Sequence, residues 1–440
     1  MAGQKGPVKA VIVVGGPQKG TRFRPLSFDV PKPLFPVAGV PLIQHHLEAC
    51  TKVEGLTEII LLGYYQSNEH IAKFIEEMKK EFNIPIRYLQ EYDPLGTGGG
   101  LYLFRDQIQA GNPEAIIVIH SDIFCIPPLN DMLDFFRRIN AEECGKFVIL
   151  GTQVSDTIPH HTRKAAPTQT SDLGNIVVDP CTLEVLHYVE KPENYVSSIV
   201  NCGVYIFDQG IFQSLGDVFQ KKSTTVNDDG PSANPASMML GKDICSPLAG
   251  QGKVFLHLMK NAFWGSMKSA GSAIYASRQF LASYRKHHQE RLVESAGGKA
   301  TILGDVFIHP SATVHPTAKI GPNVTIGKDC RIGPGARVRE SIILDGAEID
   351  SHSCVLFSIV GWKCYVGAWS RVEGTPQEPC ANFPHALVPN ESLFLSDGKL
   401  IPSITVLGCN VTTMSGSIIL NSIVLPHKEL STSYKNEIIL

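Results

Sequence analysis

The sequence is 440 residues long and contains no run approaching the roughly 20 consecutive apolar residues that span a bilayer. A membrane-embedded protein is therefore not expected. The opening MAGQKGPVKAVIVVGG places two lysines before an apolar run. That run is too short for a secretory h-region and leads straight into a glycine turn. A long basic run is also missing. With 39 Lys+Arg against 42 Asp+Glu, the formal net charge is −3, which argues against nucleic acid or a charged membrane surface as partner. The eleven cysteines are odd in number, scattered, and never spaced Cys-x-x-Cys. That pattern suggests neither a zinc cluster nor a disulfide framework. It points to free thiols in a reducing compartment, hence to the cytoplasm.

What is present is an ordinary globular composition, 43% apolar and 18% charged, in a chain too long for one core. Two periodicities divide it. From residue 8 to about 285, short β-branched runs (Lys9–Val14, Glu58–Leu62, Ile86–Leu89, Ala115–Ile119) alternate with helical stretches (Leu42–Cys50, Asn68–Phe82, Gly99–Ile108). This order predicts βαβ units and a Rossmann-like, doubly wound α/β sheet whose ligands sit beyond the strand carboxyl ends. From Ile302 an aliphatic recurs every six residues: Ile302, Ile308, Val314, Ile320, Ile326, Ile332, Val338 and Leu344. The register slips after Leu344 and resumes at Val360, Val366 and Val372. Such hexapeptides predict a left-handed parallel β-helix. The expected organisation is thus 1–285, a linker at 286–300, and a β-helix at 301–440 with an insertion at 375–402. Lys221–Leu240 lacks periodicity, is rich in turn formers, and reads as a surface insert.

Chemistry-bearing residues fall at the predicted strand ends. Gly15 and Gly16 allow close backbone approach to a phosphate, and Arg22 and Lys32 add positive charge. A second glycine loop, QEYDPLGTGGG, carries Glu91, Gly96, Thr97 and Gly98. Its glutamate is a candidate acceptor for sugar hydroxyls or a base amine. Asp122 follows a buried strand, where a lone carboxylate is a candidate Mg²⁺ ligand or simply a helix cap. Glu190 and Lys191 set opposite charges side by side, and Asn201 offers an amide.

In order along the chain, GG…GTR.RPL, PKPL, QE..PLGTGG, SD, VEKP and N.G.Y followed by hexapeptides resembles the sugar nucleotidyltransferases. More narrowly, it is similar to the mannose-1-phosphate guanylyltransferases, which make GDP-mannose from GTP and mannose 1-phosphate. The resemblance implies that the glycine loop and Arg22 hold phosphates and that Lys32 faces the pyrophosphate. It also implies that Glu91 and Gly96–Gly100 meet guanosine, that Asp122 binds Mg²⁺, and that Glu190, Lys191 and Asn201 hold mannose and its phosphate.

Three departures from the catalytic pattern stand out. Pro17-Gln18-Lys19 lengthens the phosphate loop by two residues, and a misplacement near 1 Å can cost about a hundredfold. Ser266 stands where the family has its second metal-binding aspartate. Losing one of two carboxylates is worth on the order of a thousandfold or more in rate. His120 replaces a usual asparagine. With these features, the insertion ESLFLSDGKL and the ending LPHKELSTSYKNEIIL, the chain resembles the regulatory alpha subunits of the eukaryotic enzymes. The resemblance then implies a non-catalytic binder of GDP-mannose. It implies feedback on a catalytic beta subunit, homo- and hetero-oligomers, a degraded Mg²⁺ site with no firm cofactor, and a partner-contact loop at Glu391, Ser392, Leu393, Phe394 and Asp397. Arg22, Lys32 and Asp122 would be vestigial for catalysis. The alternative is an active guanylyltransferase whose second metal ligand is Asp305 or Asp345. A third reading, a hexapeptide acyltransferase, would use His309, His315 or His352.

Overall fold

The computed structural model describes residues 6–16, 21–66, 69–141, 145–153, 173–193, 196–229, 234, 236–260, 262–294, 300–376, 394 and 400–440. Contacts group the described residues of 1–19 and 43–265 into one compact unit and those of 20–42, 266–384 and 388–440 into another.

The first unit is built on a nine-stranded sheet. Its main path runs Val185–Glu190, Gly174–Val178, Ile199–Phe207, Ala115–His120, Val8–Gly15, Leu56–Gly63, Ile86–Gln90. Phe147–Gln153 pairs with Ile199–Phe207 and with Val254–Met259. The last four strands of the path are mutually parallel, while Ile199–Phe207 runs antiparallel to Ala115–His120. The parallel strands are continuous aliphatic runs because both faces are covered. Val11, Ile60, Leu62 and Val118 all lie in the core. The helix Glu69–Phe82 buries Ile71, Phe74, Ile75 and Met78, as its helical spacing predicts. One expectation changes. Residues 221–229, read as part of an insert, belong to the helix Ile211–Asp229. Ile211, Phe212 and Leu215 bury its first turns, and farther along Lys222 bonds both Asp243 and the Ser237 carbonyl. That tertiary anchor is invisible to a propensity reading.

In the second unit, parallel strands stack into the three sheets of a left-handed β-helix. One inward column runs Ile308, Ile326, Ile343, Val360, Leu407, Val424, Ile439. Ile308 pairs with Ile326, eighteen residues on, but Ile326 pairs with Ile343, seventeen on. The slip therefore precedes Leu344, and Ile343 is the inward residue, not Leu344. Its cause is a tighter corner. Glu340 and, one coil later, Phe357 take left-handed backbone (φ 48° and 46°). Ser341 Oγ accepts from the Ser358 N–H at 3.1 Å and donates to the Arg339 carbonyl at 2.7 Å. Buried hydroxyls at Ser341, Ser358, Thr405 and Ser422 replace the aliphatic that Val324 supplies.

This unit also holds the helix Ala270–His287, which the periodicity assigned to the α/β half. A Ser269–Ser272 capping box starts it, and Arg285 pairs with Asp305 while Arg278 reaches Glu340 at 3.5 Å. Thr21–Leu42, with Arg22 and Lys32, belongs here as well.

Candidate functional site

In the first unit, the candidate residues sit where the parallel strands end. Gly15 closes its strand with φ +73°, and its carbonyl accepts from the Tyr64 N–H at 2.8 Å. The Glu91 N–H continues the pattern onto the Gly63 carbonyl, and the Ser121 N–H onto that of Val13. Gly15, Gly16, Glu91 and Asp122 thus all lie at or just past carboxyl ends of the sheet. Glu91 is buried, while Asp122 is partly exposed. Pro17, Gln18 and Lys19 lie outside the described residues.

The glycine loop is a helix start rather than an open cradle. The helix spans Gly96–Leu103. The Gly98 N–H is already bonded to the Met238 carbonyl at 2.8 Å, and Thr97 Oγ1 accepts from the Leu240 N–H at 2.9 Å. Gly99 and Gly100 admit close neighbours: a Cβ on Gly99 would stand 2.8 Å from the Leu95 side chain, and one on Gly100 would collide with the Glu91 carboxylate. Packing against Ala236, Met238 and Met239 explains Gly96, Gly98 and Gly99, packing against Glu91 and Leu62 explains Gly100, and the Gly98 N–H is not available to a ligand.

The polar cluster spans Val185–Glu190 and Ile199–Phe207, which flank Gly174–Val178 on either side. Tyr188 Oη donates to Glu190 Oε2 at 2.8 Å and accepts from Asn201 Nδ2 at 3.0 Å. Asn201 Nδ2 also reaches Tyr205 Oη at 2.7 Å, and Asn201 Oδ1 accepts from the Gly203 N–H at 2.9 Å. Gly203 takes φ +77° at a register shift within the strand Ile199–Phe207 and leaves room for His120, whose ring centroid lies 5.5 Å from that of Tyr205. Burial holds the His120 imidazole below the usual histidine range, and the charges of Asp122 and Glu190 pull the other way. His120 Nε2 is buried and finds no hydrogen-bond partner among the described residues. Burial also raises both phenols, so they stay neutral donors. Lys191 is exposed and strained into left-handed backbone at φ +48°, a conformation that sites of function more often retain.

The structure therefore brings Glu190, Asn201, His120 and Asp122 into one neighbourhood. Tyr188 and Tyr205, which the sequence reading did not single out, join them. Their signal was available: Tyr205 is the Tyr of N.G.Y, and Tyr188 directly precedes VEK. Arg22, Lys32 and Ser266 lie in the second unit. Of the proposed partner loop, Glu391, Ser392, Leu393 and Asp397 fall outside the described residues, whereas Phe394 bridges to Leu400.

Among the described residues no group of three or more His, Cys, Asp or Glu side chains is placed to hold a metal ion. Asp122 offers a single carboxylate beside an imidazole kept neutral, a donor set that does not fit a protein-held Mg²⁺. Asp305 is engaged by Arg285, and Asp345 Oδ1 accepts from the Lys328 N–H at 2.8 Å. The solenoid histidines have structural work. His309 Nδ1 meets Ser311 Oγ and His315 Nδ1 meets Thr317 Oγ1, each at 2.9 Å, in corner turns, while His352 stacks on Trp369 at 4.3 Å. The nine described cysteines are free, six of them buried. Among the described residues no helix is long and apolar enough to cross a membrane.

Comparison with known proteins agrees over nearly the whole chain. The nucleotidyl transferase family matches residues 9–265, and the GMPPB C-terminal domain family matches residues 302–439. A mannose-1-phosphate guanylyltransferase regulatory subunit alpha-A of Danio rerio is 56% identical over 436 residues, covering 98% of this chain and 100% of that protein. The Homo sapiens regulatory subunit alpha is 54% identical over 436 residues with the same coverage. A Xenopus laevis mannose-1-phosphate guanyltransferase alpha-A is 54% identical over 435 residues, again covering 98% and 100%. The chain belongs to the mannose-1-phosphate guanylyltransferase alpha-subunit family, within the nucleotidyl transferases.

Proposed function

We propose that this chain is a regulatory, non-catalytic subunit that binds GDP-mannose in the cytoplasm and damps a catalytic guanylyltransferase partner. The observation that carries the reading is the contrast between two parts of the site. Glu190, Tyr188, Asn201 and Tyr205 form one connected hydrogen-bond network that holds the Glu190 carboxylate in place. Of the two positions where the catalytic family carries metal-binding carboxylates, in contrast, the sequence keeps Asp122 and has Ser266 at the other. Recognising a finished nucleotide sugar needs hydrogen bonds to hydroxyls, base and diphosphate. Making one needs charge stabilisation in the transition state, which a lone carboxylate supplies poorly. The names of the relatives, regulatory subunit alpha, support the same assignment and imply a complex with a catalytic subunit.

In this reading Glu190 and Asn201 hold the sugar hydroxyls, Lys191 meets a phosphate, and Glu91 and the Gly15–Gly16 turn face the nucleotide. The test is reconstitution. A catalytic guanylyltransferase subunit should be inhibited by added GDP-mannose more strongly with this chain present than without it. Equal inhibition in both samples contradicts the proposal.

A further inference from the structure

Residues 236–245 touch two parts of the candidate site within the first unit. Their start is clipped to the glycine-loop helix by main chain. The Met238 N–H donates to the Leu95 carbonyl at 2.9 Å, and the Met238 carbonyl accepts from the Gly98 N–H at 2.8 Å. Two residues on, the Leu240 N–H donates to Thr97 Oγ1 at 2.9 Å. Met238, Leu240, Ile244 and Cys245 join the buried core, so apolar burial holds the segment to this course.

The chain then makes a wide turn. Leu240–Cys245 is a π-helix, in which the Ser246 N–H bonds the Gly241 carbonyl five residues back. Such turns are rare and are frequent at functional sites. This one sets the Gly241 backbone against the polar cluster. A Cβ there would overlap Glu190 Oε2 and stand 2.6 Å from Tyr188 Oη. Glu190 Oε2 is thus confined by the Tyr188 hydroxyl and by bare main chain.

One carboxylate fixes that turn. Asp243 Oδ2 accepts from the Met239 N–H at 2.7 Å and from Lys222 Nζ at 2.8 Å. Lys222 Nζ also donates to the Ser237 carbonyl at 2.9 Å, and the Asp243 N–H closes onto the Met239 carbonyl at 2.8 Å. The Asp243 side chain is 13% exposed and that of Lys222 34%, so either group can reach water once its partner is removed. The clip at Met238 is made by main chain and does not depend on this ion pair.

We propose that Asp243, held by Lys222, is a positioning residue that seats Gly241 against Glu190 and so sets the preference for the sugar half of the nucleotide sugar. Neither residue needs to touch the ligand. Loosening the turn gives the Glu190 carboxylate more freedom, and ordering it again on binding costs affinity. This rests on the reading of the ligand as GDP-mannose.

The test is calorimetry on the full chain with GDP-mannose and, separately, with GDP, which lacks the sugar. Asp243→Ala should lower the ratio of the two affinities about tenfold, the size expected when a charge-assisted hydrogen bond is loosened, and leave GDP unchanged. Asp243→Asn, which keeps an acceptor for the Met239 N–H, should restore most of the ratio. Lys222→Met should act in the same direction and add little to Asp243→Ala, because the two work through one contact. Should Asp243→Ala fail to fold, Lys222→Met carries the test, with Lys222→Arg restoring the ratio. An unchanged ratio, or a fall in GDP affinity parallel to that of GDP-mannose, overturns the inference alone. A wild-type chain that binds no GDP-mannose removes the underlying reading and this inference with it.

Discussion

Replacing Asn201 by leucine keeps the side-chain volume and deletes the hub of the polar cluster. Tyr188 retains Glu190, so its hydroxyl stays bonded. Tyr205, 1% exposed, loses the 2.7 Å bond from Asn201, and the Gly203 N–H loses its acceptor at 2.9 Å. Two groups left without partners, at about 1–3 kcal/mol each, give a cost of roughly 2–6 kcal/mol. Tyr188→Phe is the control. Asn201 still bonds Tyr205, and the partly exposed Glu190 takes a water instead, so the cost falls to about 0.5–1.5 kcal/mol. Urea denaturation of the full chain measures both. Hydrogen exchange in peptides covering Ile199–Phe207 assigns the loss to this sheet. The two variants should separate in stability yet agree in function: Tyr188→Phe releases Glu190 and Asn201→Leu removes the proposed sugar-binding amide, so each should weaken GDP-mannose by about tenfold. An Asn201→Leu variant no less stable than Tyr188→Phe refutes the argument that this amide satisfies buried partners.

Further outcomes follow from single contacts. Gly241→Ala places a methyl 2.6 Å from Tyr188 Oη, so it should cost about 1–3 kcal/mol by overpacking and, by calorimetry, weaken nucleotide-sugar binding. Ser341→Ala strips the acceptor from the buried Ser358 N–H and should lower solenoid stability by about 1–3 kcal/mol in a urea melt. Burial, reinforced by the neighbouring His45, lowers the His46 imidazole to about 4. The unfolded chain therefore takes up a proton near pH 6.5 that the folded one refuses. Stability should fall by up to about 3 kcal/mol as pH drops from above 6.5 towards 4. A His46→Gln variant should show a flatter urea-midpoint profile over that range.

Legibility in the sequence followed the range of the interactions. The parallel strands and the hexapeptide column were readable because each position reports its own burial, as Val11 and Ile326 do. The slip at Ile343 was misplaced because the compensating feature is a hydroxyl, Ser341, rather than an aliphatic. The helical course of 221–229 was missed because Lys222 is held by Asp243, a partner 21 residues away. The motifs single out Glu190 and Asn201, but Tyr188, which bonds both, is an ordinary core aromatic until the sheet order sets it between them. The commitment of the Gly98 N–H to Met238 was likewise beyond a local reading, since a glycine loop looks the same whether it faces phosphate or backbone. The attachment of Thr21–Leu42 to the solenoid depends on Phe35 meeting Trp362, a contact across more than three hundred residues that no periodicity encodes.

The central claim is that the chain recognises a nucleotide sugar without making one. The direct measurement titrates the purified full chain with GDP-mannose by calorimetry and assays the same sample for pyrophosphate release from GTP and mannose 1-phosphate with Mg²⁺ added. Saturable binding with no turnover above the protein-free control is the predicted result. Pyrophosphate release at an ordinary enzyme rate, abolished by Asp122→Ala, contradicts it and makes the chain an active transferase.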